Sequence, residues 1–192
     1  MMDTINEIYV TKPYLPPLSE YMEYIREIWN SCILTNHGPL HMKFEQQLQK
    51  KFGWLNVSLF TNGHLALEIA IGSMGMKNGG EIITTPFTFV STVAAIVNQG
   101  FVPVFCDIGE NFSIDADKIE DLITDRTVCI LPVHVYGFPC NVEKIEEVAN
   151  QYGLKVIYDA AHASGSNIKT MTYQHMVTYP CFHSMPQSCS IQ

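Results

Sequence analysis

Short apolar runs rich in β-branched residues alternate with helical patterns along most of the chain. These runs predict five strands, at residues 57–60, 81–85, 102–107, 128–133 and 155–159. Helical periodicity predicts four helices between them, at residues 63–76, 88–99, 115–123 and 142–152. Strands that are apolar throughout are typical of a sheet covered on both faces. The order therefore predicts an α/β fold with a mostly parallel sheet flanked by helices.

Two further helices are predicted ahead of the first strand, separated by the turn-rich segment LTNHGP at residues 34–39. Ser19 is the predicted N-cap of the first helix, and Gly53 is predicted to end the second. For the helix at residues 142–152, Asn141 is the predicted N-cap and Gly153 the predicted stop.

Composition limits the class of protein. The chain has 192 residues, of which 47% are hydrophobic and 16% charged, as in a folded globular protein with one sizeable core. The net charge of −8 with scattered Lys and Arg argues against a nucleic-acid surface. No apolar run reaches the roughly 20 residues of a membrane span, and no signal peptide is recognisable, so a cytoplasmic protein is expected. The six cysteines form no C-x-x-C pair, so reduced thiols and no metal site are predicted.

The predicted strand ends carry the candidate site, because ligands of such sheets bind beyond the carboxyl ends of the strands. Asn62-Gly63-His64 follows the first predicted strand and opens a helix. The free N–H groups and partial positive charge of a helix N-terminus suit a phosphate. The alternative is an ordinary tight turn between a strand and a helix.

Three more residues at strand ends suit an aromatic cofactor. Phe87 is placed to stack on a ring, although a phenylalanine beside Pro86 also packs in many cores. Asp159 ends an apolar strand, and a protonated ring nitrogen would be a partner for its carboxylate; a helix N-cap is the alternative. His162 lies three residues further on and is either a second ligand contact or a solvated loop histidine.

His134 and Tyr136 follow the fourth predicted strand and are candidates for the substrate side of the same cleft. A hydrogen-bonded core histidine is the alternative for His134. Taken together, a phosphate site, a stacking aromatic ring and a carboxylate for a ring nitrogen describe a site for pyridoxal 5'-phosphate (PLP).

Several stretches resemble the DegT/StrS-type, PLP-dependent sugar-nucleotide aminotransferases. The resemblance spans roughly residues 8–168 and rests on these segments: TKPYLPPLSEY, LTNHGP, SLFTNGHLALEIA, EIITTPFTFVST, ILPVHVYG and VIYDAAHASG. It implies the N-terminal part of a PLP fold-type-I (aspartate aminotransferase-like) large domain. It also implies transfer of an amino group from glutamate to a keto-sugar nucleotide of the dTDP-4-keto-6-deoxyglucose type, for bacterial surface polysaccharide or O-antigen. A homodimer with a shared active site is implied as well.

The resemblance also assigns roles to individual residues. Gly63 and His64 would offer backbone amides to the cofactor phosphate, Phe87 would stack on the ring and Asp159 would pair with the ring nitrogen. His162 would lie near the ring hydroxyl. His64 departs from the family, which commonly has threonine there, so a hydroxyl contact to the phosphate is lost.

The family's next segment, of the type Ser-x-His-x-x-Lys, is missing from the chain. Its lysine forms the Schiff base with the cofactor and shuttles protons. Only Lys169 follows Ile168, and it lies too early and outside the motif. The sequence thus predicts a partial large domain at residues 1–168 and a tail at 169–192 without native structure. No catalytic residue is assigned, and the chain as written is predicted to be inactive.

A shifted reading frame accounts for the missing segment. Plausible codons from Tyr173 onward, read from the third base, give STYGDLSMFSFHATKLFNT, in which the lysine codon straddles Gln187 and Ser188. The hypothesis is a frameshift near Lys169. A catalytically inactive fragment of a disrupted gene is the alternative function. The decoded lysine argues against a related dehydratase, in which histidine replaces the lysine.

Overall fold

The computed structural model describes residues 15–35 and 37–163 and the backbone of the strand Met176–Val177. It separates into two compact units, residues 1–59 with 182–192, and residues 60–181. Within the described residues, the first unit contains helix α1 (Leu18–Ser31) and helix α2 (Pro39–Phe52). No helix of the described residues is long and apolar enough to cross a membrane.

The ends of α1 and α2 test the two predicted boundaries. The prediction of Ser19 as N-cap is wrong, because α1 already begins at Leu18 and no side chain caps it. The carbonyl of Pro17 instead accepts the N–H groups of Glu20 and Tyr21, at 3.0 and 3.2 Å. Gly53 is confirmed as the end of α2: its φ of 71° is left-handed and its N–H donates to the Gln49 carbonyl.

The second unit contains the sheet. In chain order its helices and strands are α3 (Gly63–Ser73), β1 (Glu81–Thr84), α4 (Val90–Asn98), β2 (Val102–Phe105), β3 (Thr127–Ile130), α5 (Val142–Tyr152), β4 (Lys155–Val156), β5 (Tyr158–Asp159) and β6 (Met176–Val177). The first four strands form a parallel sheet in the order β2-β1-β3-β4. β5 pairs in parallel with β6, and an isolated parallel bridge joins Val133 to Asp159. The predicted α/β fold with a parallel sheet is confirmed.

The sheet is covered on both faces by helices. Ile82 of β1 packs with residues of α3 and α4, whereas its neighbour Ile83 packs with residues of α5. Neighbouring strand residues point to opposite faces, so each face of the sheet has its own apolar cluster. This explains why β1 is buried along its whole length, including its polar end residues Glu81 and Thr84.

The last helix of this unit has the predicted ends. The side chain of Asn141 accepts the N–H of Lys144 at 3.2 Å, and Gly153 follows the helix with a φ of 66°. The Asn141 side chain accepts an N–H group, and the Gly153 N–H donates to the Ala149 carbonyl, so polar groups at both ends of the helix are paired. The predicted span 142–152 is confirmed.

Two predicted elements are wrong. Residues 57–60 are not a strand, and none of the described strands pairs with them. Residues 115–123 contain only a 3₁₀ turn at Glu120–Leu122. The reason lies at Asp115, whose Oδ1 accepts the N–H of Asp117 at 3.2 Å in a local turn that competes with a helix. Ile119 is nevertheless fully buried, so the apolar spacing in this segment marks residues of a loop that packs into the core.

Candidate active site

A pocket of about 330 Å³ lies beyond the carboxyl ends of β1, β3 and β5. It brings together four of the predicted site residues, Phe87, Tyr136, Asp159 and His162. Pro86, Thr88, Phe89, Val133, Val135 and Ala161 complete its lining. The strand ends converge because the strands are parallel and adjacent.

Asp159 is the fixed point of this pocket. It is only 7% exposed, and its backbone N–H donates to the Pro132 carbonyl while its own carbonyl accepts the N–H of His134, both at 2.9 Å. The carboxylate is held as well: Oδ2 accepts the hydroxyl of Thr92 at 2.9 Å and Oδ1 accepts the N–H of Ala161 at 3.3 Å. The protein therefore fixes the orientation of this carboxylate before any ligand binds.

The electrostatics of Asp159 favour a cationic partner. Burial raises the pKa of its carboxyl group, and the hydrogen bonds from Thr92 and Ala161 and the nearby His162 oppose that rise. Among the residues that the structure describes, no lysine or arginine lines the pocket. A protonated ring nitrogen would supply both a hydrogen bond and the missing positive charge, so the carboxylate fits the pyridine ring of PLP.

Thr92 and Thr88 are site residues that the sequence analysis missed. Thr92 lies in α4, is fully buried and donates to Asp159. Its hydroxyl oxygen is 2.7 Å from that of Thr88, which lines the pocket. The signal was available, because both threonines fall in the predicted helix at residues 88–99, in which residues four apart lie on one face. Their distance from Asp159 in the sequence hid the connection.

Three aromatic rings form another part of the pocket lining. Phe87 is 37% exposed, and its ring centroid is 6.1 Å from that of Tyr136 in an edge-on arrangement. The rings of Tyr136 and His162 stack with centroids 5.9 Å apart, and the N–H of Tyr136 donates to Nδ1 of His162 at 3.4 Å. Tyr136 has a left-handed backbone (φ 52°), which is uncommon for a bulky residue. The accessible face of Phe87 suits ring stacking.

Gly63 and His64 open α3, after Asn62, whose side chain caps the helix by accepting the N–H of Leu65 at 3.0 Å. They are not among the residues that line the pocket. The imidazole of His64 is turned to Glu68, four residues on, with 3.2 Å between Nε2 and Oε1. The first N–H groups of a helix have no acceptor within it, so the backbone of Gly63 and His64 has the donors that a phosphate needs.

His134 does not line the pocket, so its position does not support the predicted substrate-side role. Its side chain is fully buried and stacks on Tyr158, with ring centroids 5.2 Å apart. Nδ1 accepts the N–H of Cys140 at 3.1 Å, which requires an uncharged nitrogen there. Burial lowers the pKa of His134 to about 4. His134 thus supports the backbone of Asp159 from the core, as in the alternative reading of a core histidine.

We expect this burial to make the fold acid-sensitive. Unfolded His134 takes up a proton below its ordinary pKa of about 6.5, whereas the folded residue does so only near 4. The contribution of neutral His134 to the free energy of unfolding is therefore fully present above that ordinary pKa and is lost as the pH drops towards 4. About 2 kcal/mol of the free energy of unfolding should be lost between pH 7 and pH 5. His134→Asn keeps an acceptor for Cys140 but does not titrate, so urea unfolding at the two pH values should show a flatter dependence. His64→Asn is the matched control, and an equally flat dependence in that variant would contradict this prediction.

Comparison with known proteins decides the family. The sequence profile of the DegT/DnrJ/EryC1/StrS aminotransferase family matches residues 18–182. The chain belongs to this family of enzymes. The prediction made from the sequence segments is thereby confirmed.

Two curated relatives are named for the same activity. The chain is 47% identical over 184 residues to dTDP-4-amino-4,6-dideoxy-D-glucose transaminase of Escherichia coli, covering 95% of this chain and 49% of that protein. It is 48% identical over 159 residues to the protein of the same name from Shigella dysenteriae, covering 82% of this chain and 43% of that one. The chain spans about half the length of the curated relatives it matches.

Solved structures agree with this assignment. NtdA from Bacillus subtilis, crystallised with its cofactor PMP bound, is 32% identical, with a TM-score of 0.75 over 85% of this chain and 40% of that one. DesI, crystallised in the presence of its TDP-sugar product, is 30% identical, with a TM-score of 0.78 over 82% of this chain and 40% of that one. The shared fold is that of aminotransferases, as predicted.

Proposed function

We propose that this chain carries the cofactor-binding part of a PLP-dependent aminotransferase that aminates a dTDP-4-keto-6-deoxyglucose type of sugar nucleotide, with glutamate as amino donor. The observation that carries the proposal is the buried, doubly hydrogen-bonded carboxylate of Asp159 in a pocket with the accessible ring of Phe87. The identity to two transaminases named for the product dTDP-4-amino-4,6-dideoxy-D-glucose supports the choice of sugar.

Each residue has a separate task in this proposal. PLP, when bound, withdraws electrons from the carbon that gains or loses the amino group. Asp159 accepts a hydrogen bond from the ring N–H and keeps that nitrogen protonated, while Thr92 and Ala161 fix the carboxylate. Phe87 would contact the ring face and exclude water from it. Backbone amides of Gly63 and His64 would bind the phosphate, and His162 would lie near the ring hydroxyl.

The written chain and a complete enzyme differ in this proposal. The written sequence lacks the lysine segment, so we propose that residues 169–192 are out-of-frame text and that the 192-residue chain turns nothing over. The second candidate function is that of an inactive fragment of a disrupted gene. It rests on the same observation, that the lysine motif is absent from the sequence. The homodimer, the cytoplasmic location and the role in surface polysaccharide or O-antigen synthesis are further parts of the proposal.

Substrate specificity is tested with a frame-restored protein, in which one base is added or removed near Lys169. We expect amination of dTDP-4-keto-6-deoxyglucose with glutamate, and at least about tenfold lower kcat/KM for a dTDP-3-keto-6-deoxy sugar, because a misplaced keto group misaligns the reacting atoms. Product formation is followed by mass spectrometry, with aspartate as the alternative donor. Equal rates for both sugars would overturn the choice of the 4-keto position. Cofactor binding without any sugar amination would overturn the sugar class.

A further inference from the structure

Three side chains around the start of α2 place metal-ligating atoms within 4.8 Å of one another. They are His37, His41 and Glu45. His37 comes two residues before α2, whereas His41 and Glu45 lie four residues apart on its surface and so share one face. We propose that these residues bind a divalent transition-metal ion of the Zn²⁺ class. Two imidazoles and one carboxylate are a ligand set that such ions favour.

The distances suit this coordination after a small adjustment. Nε2 of His41 lies 3.0 Å from Oε1 of Glu45, and the ring centroids of His37 and His41 are 4.6 Å apart. Ligand atoms around a tetrahedral Zn²⁺ are about 3.3 Å from one another when each bond is about 2.0 Å long. One pair is already that close. Since all separations are within 4.8 Å, the widest must shrink by at most about 1.5 Å, and His37, the exposed member of the three, is the side chain that would rotate.

The surroundings leave room for a fourth ligand. A cavity of about 200 Å³ is lined by His37 and His41 together with Glu27 and Ser31. Three protein ligands and one water are the arrangement of an open metal site. Glu27 and Ser31 line the same cavity and carry side-chain oxygens, the type of group that would hydrogen-bond a metal-bound water. His37 also has a left-handed backbone (φ 53°), a conformation that costs about 1–2 kcal/mol in a residue other than glycine and is frequent at ligand sites.

The competing explanation is an ordinary surface pair between His41 and Glu45. The chain contains such a pair in α3, where His64 and Glu68 are also four residues apart and their closest atoms are 3.2 Å apart. In the described part of the chain, that pair belongs to no cluster of three ligands. His37 is therefore what distinguishes the proposed metal site, and the α3 pair is a built-in control.

The test is Zn²⁺ binding to the full 192-residue chain after removal of any affinity tag and treatment with a chelator. Isothermal titration should give one equivalent of Zn²⁺. His37→Gln and Glu45→Gln should each weaken binding at least about tenfold, since even the loss of a group that only supports a metal ligand costs 10- to 100-fold. Glu68→Gln should bind like the original chain. Circular dichroism of each variant checks that the helices remain.

Cysteines are the other ligands to exclude. Co²⁺ bound by nitrogen and oxygen gives weak visible bands, whereas thiolate ligation adds intense near-ultraviolet absorption. We expect the weak bands alone. Unchanged affinity in His37→Gln, intense thiolate absorption, or no binding at millimolar free Zn²⁺ would each overturn the proposal. Because His37 is exposed, His37→Gln should fold, and the test does not depend on the less exposed Glu45.

Discussion

Restoring the reading frame near Lys169 is expected to give an active transaminase, whereas the chain as written is expected to be inactive. The decoded segment contains a lysine in the family's motif, whereas the written tail has none in that position. Such a lysine moves protons during the reaction, and general acid–base catalysis by one side chain contributes about 10²- to 10⁴-fold. We therefore expect a rate difference of at least that size between the restored protein and the written chain, measured as 2-oxoglutarate formed from glutamate with the dTDP-4-keto sugar.

The control is the frame-restored protein with the decoded lysine changed to alanine, which has the same length and folds with the same segments. This variant should show no more activity than the chain as written, although it contains all of the frame-restored sequence except the lysine. The family profile extends to residue 182 and so overlaps the proposed out-of-frame tail. The position of the frameshift therefore has to be checked first, by sequencing the coding DNA across residues 163–192. Codons incompatible with the decoded segment would refute the frameshift, and turnover by the written chain would refute its inactivity.

Asp159→Asn in the frame-restored enzyme is expected to lower kcat/KM by roughly 10²- to 5 × 10³-fold. An amide cannot hold the ring nitrogen in its protonated form, and removing one partner of a buried ion pair costs about 3–5 kcal/mol. Stopped-flow kinetics of the half-reaction with glutamate measures the loss, and equilibrium dialysis measures PLP retention. Asp107→Asn is the matched control, because the Asp107 side chain is 79% exposed and should be dispensable. Near-normal half-reaction rates in Asp159→Asn would contradict the assigned role.

Thr92→Val separates the position of Asp159 from its charge. The Thr92 hydroxyl lowers the pKa of the Asp159 carboxyl group, against the rise caused by burial. Without it the carboxyl group should hold its proton to higher pH, so the acidic limb of the pH profile of kcat/KM should move upward. Loss of a hydrogen bond to a charged group, worth about 1.5–3 kcal/mol, predicts roughly a 10- to 100-fold lower rate near neutral pH. An unshifted acidic limb would show that Thr92 serves only in packing.

Local patterns in the sequence were enough to predict much of the fold. For the helix at residues 142–152, residues close together in the sequence indicate both ends and the buried face. The structure agrees with these predictions. Residues 115–123 have similar apolar spacing but form a loop. There the side chain of Asp115 binds a nearby backbone N–H, and the apolar residues are buried through distant parts of the chain. Spacing identifies what is buried, but only tertiary packing decides the backbone conformation.

The candidate site shows the same division. Asp159 ends a predicted strand, and Phe87, Tyr136 and His162 come shortly after the ends of predicted strands. A parallel sheet brings such ends together, so the sequence pointed to the pocket. Thr92 could not be linked to Asp159, from which it is 67 residues away in the chain. The approach of His37 to His41 was equally hidden, whereas for His134 the sequence left a core position and a cleft position open as alternatives.

The sequence by itself determined the α/β class, the family and the carboxylate that ends β5, because these depend on residue periodicity and on short motifs. Only the tertiary structure decided which side chains hold that carboxylate, which histidine is excluded from the pocket and which histidines approach one another. Those outcomes depend on contacts between residues far apart in sequence or on side-chain directions at a turn, and neither leaves a periodic signal in the chain.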